Sequence, residues 1–150
     1  MPARPDRPTE AAIHAWARLV RAHRSAFATV EARLKDAGLP ALAWYDALLE
    51  LERSPSDGLR PFELQRTMLL AQYNLSRLID RMVEAGYVAR EASQEDGRGQ
   101  VLRITRAGRA IRRRMWPVYA AAIEEAVGQH LSDAEAATLA TLLGKVGGAR

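Results

Sequence analysis

Leu75-Ser76-Arg77-Leu78-Ile79-Asp80-Arg81-Met82-Val83-Glu84-Ala85-Gly86 is the stretch that decides the fold. Leu75, Leu78, Ile79, Met82 and Val83 fall at i, i+3, i+4, i+7 and i+8, which is one apolar face of a helix. Gln72, Tyr73, Asn74, Arg77 and Arg81 form the opposite face, and Gly86 ends the run. The pattern predicts a helix from about Gln72 to Ala85. Just upstream, Pro61 opens a shorter helix to about Met68, with Phe62 and Leu64 apolar. Two helices joined by so short a turn have helix-turn-helix spacing.

Working outward, Tyr87-Val88-Ala89-Arg90 and Val101-Leu102-Arg103-Ile104 read as two strands. Between them Asp96-Gly97-Arg98-Gly99 forms a polar, glycine-rich, basic tip. A helix-turn-helix followed by such a hairpin is a winged helix. Upstream, Pro40 sets the start of a helix from Ala41 to Glu52, carrying Leu42, Tyr45, Leu48 and Leu49. Ser54-Pro55-Ser56-Asp57-Gly58 is loop by its turn chemistry.

The flanks are helical. Ile13, Trp16, Val20, His23, Phe27, Val30 and Leu34 recur in alternating steps of three and four, a heptad seam from about Thr9 to Lys35. Thr9 can cap that helix and Gly38 lies past its end. A small domain cannot cover so long a helix alone, so the seam implies packing between subunits. After Thr105, a possible cap, comes a helix with Ile111, Met115, Val118, Ala122 and Val127, where Pro117 predicts a kink. Ser132-Asp133-Ala134-Glu135 is a capping box that opens a last helix to about Val146. The expected class is mainly α with a small β-hairpin wing. A winged helix-turn-helix lobe spans 40–104, and a helical dimerisation platform is built from 9–38 and 105–147.

Charge is unevenly spread over the 150 residues. Residues 1–59 carry eight basic and eight acidic side chains, 60–114 carry twelve and six, and 115–150 carry two and four. Twenty of the 22 bases are arginine. Positive charge held in the middle third is the footprint of a polyanion partner, most often nucleic acid. Cysteine is absent, which excludes a disulfide scaffold, a thiol nucleophile and thiol redox sensing. His14, His23 and His130 lack metal-ligand spacing, so neither metal nor cofactor is expected. No catalytic residue is expected either. There is no nucleophile–base pair, no paired carboxylates at a plausible site and no phosphate-cradling glycine loop. No uncharged apolar run is long enough for a membrane span, and Met1–Pro8 does not read as a secretory signal.

The run from Gly58 to Leu64, the run from Leu75 to Val88, the wing Asp96-Gly97-Arg98 and the stretch Ile104-Thr105-Arg106-Ala107-Gly108 together resemble the MarR-type (multiple antibiotic resistance regulator) winged helix. The resemblance covers nearly the whole chain. It implies a bacterial, cytoplasmic homodimer that binds a pseudo-palindromic DNA operator, acts as a repressor and leaves DNA on binding a small aromatic or phenolic effector. Arg77 matches a recognition-helix contact to DNA, Arg98 the wing-tip arginine of the minor groove, and Asp96 the aspartate that braces it. One departure stands out. The turn that often holds a glycine and a serine cap is here Leu69-Leu70-Ala71.

Candidate DNA contacts are therefore Gln72, Tyr73, Asn74, Arg77, Arg81 and Arg98, with Asp96 bracing the wing. The alternatives are a solvated helix face, pairing of Arg81 with Glu84 or Asp80, and a loop role for Asp96. Arg112-Arg113-Arg114 is expected to be a solvated face. His23 is either a core histidine or a polar handle in an effector pocket with Trp16, Trp44, Tyr45 and Met115. The competing function is a winged-helix protein-interaction module that has lost DNA binding.

Overall fold

A computed structural model describes residues 7–55, 58–93 and 99–147. The elements run α1 (Glu10–Asp36), α2 (Leu42–Arg53), α3 (Pro61–Thr67), α4 (Leu75–Glu84), β1 (Val88–Ala92), β2 (Gln100–Ile104), α5 (Arg106–Ala126) and α6 (Asp133–Gly147). A single 3₁₀ turn, Gly128–His130, precedes α6. The mainly helical winged-helix fold expected from the sequence is the fold observed. The chain divides into two compact units: Arg33–Ala120, and Met1–Ala32 with Ala121–Arg150.

The first unit is the winged lobe. It runs wider than the expected 40–104, because Leu34 at one end and Ile111 and Met115 at the other are buried within it. Its helices bury the residues that the periodicity picks out: Leu48 and Leu51 of α2, Leu64 of α3, and Leu78, Ile79 and Met82 of α4. α2 packs on α3 and β2, and α4 on α3 and β1. The strands pair antiparallel from Val88↔Ile104 to Ala92↔Gln100. Leu59 adds a third, single-residue rung beside Leu102, with backbone bonds in both directions. Gly58 makes that rung possible. Its φ is +74°, and a Cβ there would meet the Leu102 carbonyl oxygen at 2.5 Å.

Local chemistry sets the start of α5. The Thr105 hydroxyl accepts from the Gly108 N–H at 3.0 Å and donates to the Gly86 carbonyl at 2.6 Å. It thus caps one helix and holds Gly86, the second residue past α4. Gly108 lets α5 sit on the Tyr87 carbonyl, where a Cβ would approach within 2.2 Å. α5 continues unbroken through Pro117.

The second unit consists of the first part of α1, the end of α5, and α6. Thr9 caps α1 through the Ala12 N–H at 3.1 Å. The Ser132–Glu135 box closes as expected: Ser132 Oγ accepts from the Glu135 N–H, and Glu135 Oε1 accepts from the Ser132 N–H. These two bonds hold the Glu135 carboxyl below its usual range. Many large apolar side chains of this unit lie open, among them Ile13, Trp16 and Phe27 of α1, and Leu139, Leu142 and Val146 of α6.

Candidate nucleic-acid interface

α4 begins three residues later than the sequence predicts. Gln72, Tyr73 and Asn74, expected on the helix, belong instead to the turn that leads into it, which spans 68–74. The reason is local. Asn74 has a non-helical backbone (φ −126°, ψ 54°) and makes no side-chain cap, and the apolar periodicity itself starts only at Leu75. Tyr73 is wholly exposed, Asn74 exposed and Gln72 half-buried.

Arg77 and Arg81 do lie on α4, exposed and opposite Leu78, Ile79 and Met82. Neither has an ion-pair partner among the described residues. Asp80, which could have taken Arg81, is bonded to Arg90 of β1. That pair fastens α4 to the wing strand. Across the hairpin, Arg103 Nε donates to Glu91 Oε2 at 2.6 Å. At the wing base Arg60 Nη2 reaches Ser93 Oγ at 3.3 Å, while the Arg60 N–H donates to Glu63 Oε2 at the start of α3. Asp96 and Arg98 lie outside the described residues.

Three residues of the expected effector pocket lie in the lobe. Met115 and Tyr45 are buried, and Trp44 meets Tyr87 edge to face at 5.9 Å. Tyr45 stacks on Trp116 and meets Tyr119 edge-on at 5.0 Å. Burial, then the neighbouring Tyr45 and Asp46, push the Tyr119 hydroxyl above its ordinary pKa. Trp16 and His23 belong to the other unit, where both are exposed and His23 lies 6.0 Å from the Phe27 ring. A cavity of about 110 Å³ does occur in the lobe, but elsewhere. Leu51, Glu52, Pro55, Gly58, Arg103 and Arg109 line it, and none of the five expected residues does.

The arginine run on α5 is only partly a solvated face. Arg113 and Arg114 are exposed, but Arg112 turns inward, bonds Glu52 of α2 and lies over the Tyr45 ring at 5.8 Å. Burial opposes its charge, but the bonds to Glu52 and Tyr45 outweigh that and raise its pKa. Reading the sequence also missed Asp46. Its carboxylate is buried and accepts from the Leu69 N–H at 3.0 Å and the Leu70 N–H at 2.7 Å. A signal was present: Asp46 stands four residues after Leu42, on the apolar face of α2. Among the described residues no three metal-binding side chains converge, and no helix is long and apolar enough to cross a membrane.

An exposed arginine-bearing helix, held to an antiparallel hairpin beside a second helix, defines the winged helix-turn-helix class. Residues 33–99 match the MarR family model. Sco3205, a MarR family transcriptional regulator from Streptomyces coelicolor solved in complex with DNA, is 28% identical, with a TM-score of 0.81 over 93% of this chain and 91% of its own. AbsC, a MarR family regulator from the same organism, is 25% identical, with a TM-score of 0.80 over 96% and 95%. A mutant form of MarR from E. coli, solved with operator DNA, is 25% identical, with a TM-score of 0.76 over 89% and 94%. No curated protein matches the chain in sequence. Residues 33–99 thus match a MarR-type winged helix, and the chain has the fold of solved MarR family transcriptional regulators.

Proposed function

We propose that the protein is a cytoplasmic homodimer that binds a pseudo-palindromic operator in double-stranded DNA and represses until a small aromatic or phenolic effector releases it. The observation that carries the DNA reading is the pair Arg77 and Arg81, exposed and without ion-pair partners among the described residues, on the face of α4 turned away from the core. Unneutralised guanidinium groups on a helix that fits the major groove suit base edges and phosphates. The relatives solved with DNA support the same reading. Gln72, Tyr73 and Asn74 then meet DNA from the turn, Arg98 enters the minor groove from the wing, and Asp96 braces it.

The open apolar rows of α1 and α6 are the surface a second copy would cover, so of the expected segments 9–38 and 105–147 the parts outside the lobe, 9–32 and 121–147, serve dimerisation. For the effector we assign the aromatic group of the lobe, Trp44, Tyr45 and Met115, together with the half-exposed Trp116 on Tyr45. Trp16 and His23, exposed in the other unit, are not part of that group. The effector would act by binding the DNA-competent and DNA-incompetent states unequally.

Selection from random duplex DNA at near-physiological salt is the test. A palindrome with half-sites about one turn, ~10 bp, or a multiple of it apart is expected. Log K should fall against log salt with a slope of about −0.9 per phosphate contacted. Arg98→Ala should weaken binding by ~1–3 kcal/mol. A folded dimer that enriches no sequence and shows a flat salt response would replace this reading with the protein-interaction module.

A further inference from the structure

The turn before the recognition helix lacks the usual devices. No glycine occurs between Pro61 and Ala85, and no residue there has positive φ. Asn74 caps nothing with its side chain. Met68, where the turn leaves α3, is buried, but Leu69 beyond it is 77% exposed. What holds the turn past Met68 is Asp46, from another helix. Its two carboxylate oxygens take the N–H groups of Leu69 and Leu70, just after the end of α3. Asp46 is only 6% exposed, so these are charge-assisted bonds with little competition from water. They also satisfy N–H groups that no helix uses.

We infer that Asp46 is the positioning residue of the DNA-reading surface: its carboxylate fixes the turn that aims Tyr73, Asn74 and Arg77. This rests on the DNA-binding reading above. Base edges are read only from a correctly placed helix, whereas attraction to phosphates tolerates misplacement. Loss of Asp46 should therefore remove sequence discrimination before it removes DNA affinity. The link extends backwards. Tyr45, the preceding residue, is clasped by Trp116, Tyr119 and Arg112 of α5, so a shift of α5 against α2 reaches the turn through one residue.

The test uses the full-length protein with Asp46→Asn and Asp46→Ala. Asparagine keeps one acceptor but points an N–H donor at the other amide; alanine removes both acceptors. Each is compared with the unchanged protein for affinity to the selected operator and to a scrambled duplex of equal length and salt, with thermal melts alongside. The expected result for Asp46→Asn is a folded protein whose operator affinity drops roughly tenfold or more while scrambled-duplex affinity changes less than about twofold, the gap widening in Asp46→Ala. Equal loss on both duplexes, in step with a lowered melting temperature, would reduce Asp46 to a fold-stabilising residue. Unchanged discrimination in a folded variant would overturn the inference and leave the DNA reading standing. Absence of discrimination in the unchanged protein would overturn both.

Discussion

The winged lobe and the helical unit solve the burial problem in different ways. In the lobe Leu48, Leu64, Met82 and Leu102 are fully buried, and polar ties such as Asp46 to the turn and Arg112 to Glu52 cross between elements. In the other unit many large apolar residues are exposed: Trp16 is 67% exposed, Leu142 52% and Val146 72%. Both regions are built mostly of regular helix, the lobe adding one hairpin, so helix formation by itself does not make the difference. One region buries its large apolar residues within a single chain, while the other leaves apolar rows open, the surface that the proposed dimer would cover.

The hardest blow to that contrast is a charge placed in the open rows. Trp16→Glu or Leu142→Glu should raise the dimer dissociation constant by about 100-fold or more, because two-fold symmetry repeats each change. Sedimentation of the variants against dilution reads this, and an unaltered dimer would show that these rows are not the interface. Next comes the same truncation made in both regions. Leu48→Ala should cost about 2–5 kcal/mol, with a melting temperature independent of protein concentration beyond the dimer's own dependence. Leu142→Ala should act through assembly, so its effect grows on dilution. Equal, concentration-independent losses would erase the distinction.

Caps give a smaller comparison. Thr105→Ala should cost about 2 kcal/mol, since the hydroxyl serves both Gly108 and Gly86, and Ser132→Ala about 1 kcal/mol. Chemical denaturation of the two variants ranks them. The smallest effects are at the extremes of pH. Tyr119 has a raised pKa, so above about pH 10 the unfolded chain loses its proton first. The lobe's stability then falls until the folded value is passed, and Tyr119→Phe should flatten that limb. Glu135 has a lowered pKa, so its contribution is present above the unfolded value and is lost as pH falls through the folded one. Melts across both limbs, with Glu135→Gln as the second control, test the pair.

What the sequence revealed was the local part. The caps made by Thr9, by Thr105 on Gly108 and by the Ser132–Glu135 box reach only three residues and could be named unseen, whereas the second bond of Thr105, to Gly86, could not. The buried face of α4 followed from its spacing. Its start did not, because Gln72 to Asn74 are as polar as a helix face would be, and only the uncapped Asn74 backbone shows the difference. Long-range ties were hidden for another reason. Asp46 finds its partners 23 and 24 residues away, Arg112 finds Glu52 at 60, and Leu59 pairs with Leu102 across the lobe. Periodicity reports which face is buried, but not which polar side chain on it will meet which backbone. The wing candidates Arg98 and Asp96 rest on the resemblance alone.

The Asp80–Arg90 pair has a consequence for operator evolution. With α4 tied to the wing strand, groove-reading helix and hairpin form one reading surface, and the proposed dimer would carry two of them. Single base changes within a half-site would be tolerated in steps of ~1–3 kcal/mol each. An insertion between the half-sites is another matter, for one added base pair rotates the second site by roughly a tenth of a turn out of register with the first. Operators of such a regulator should therefore drift in letters far more readily than in length.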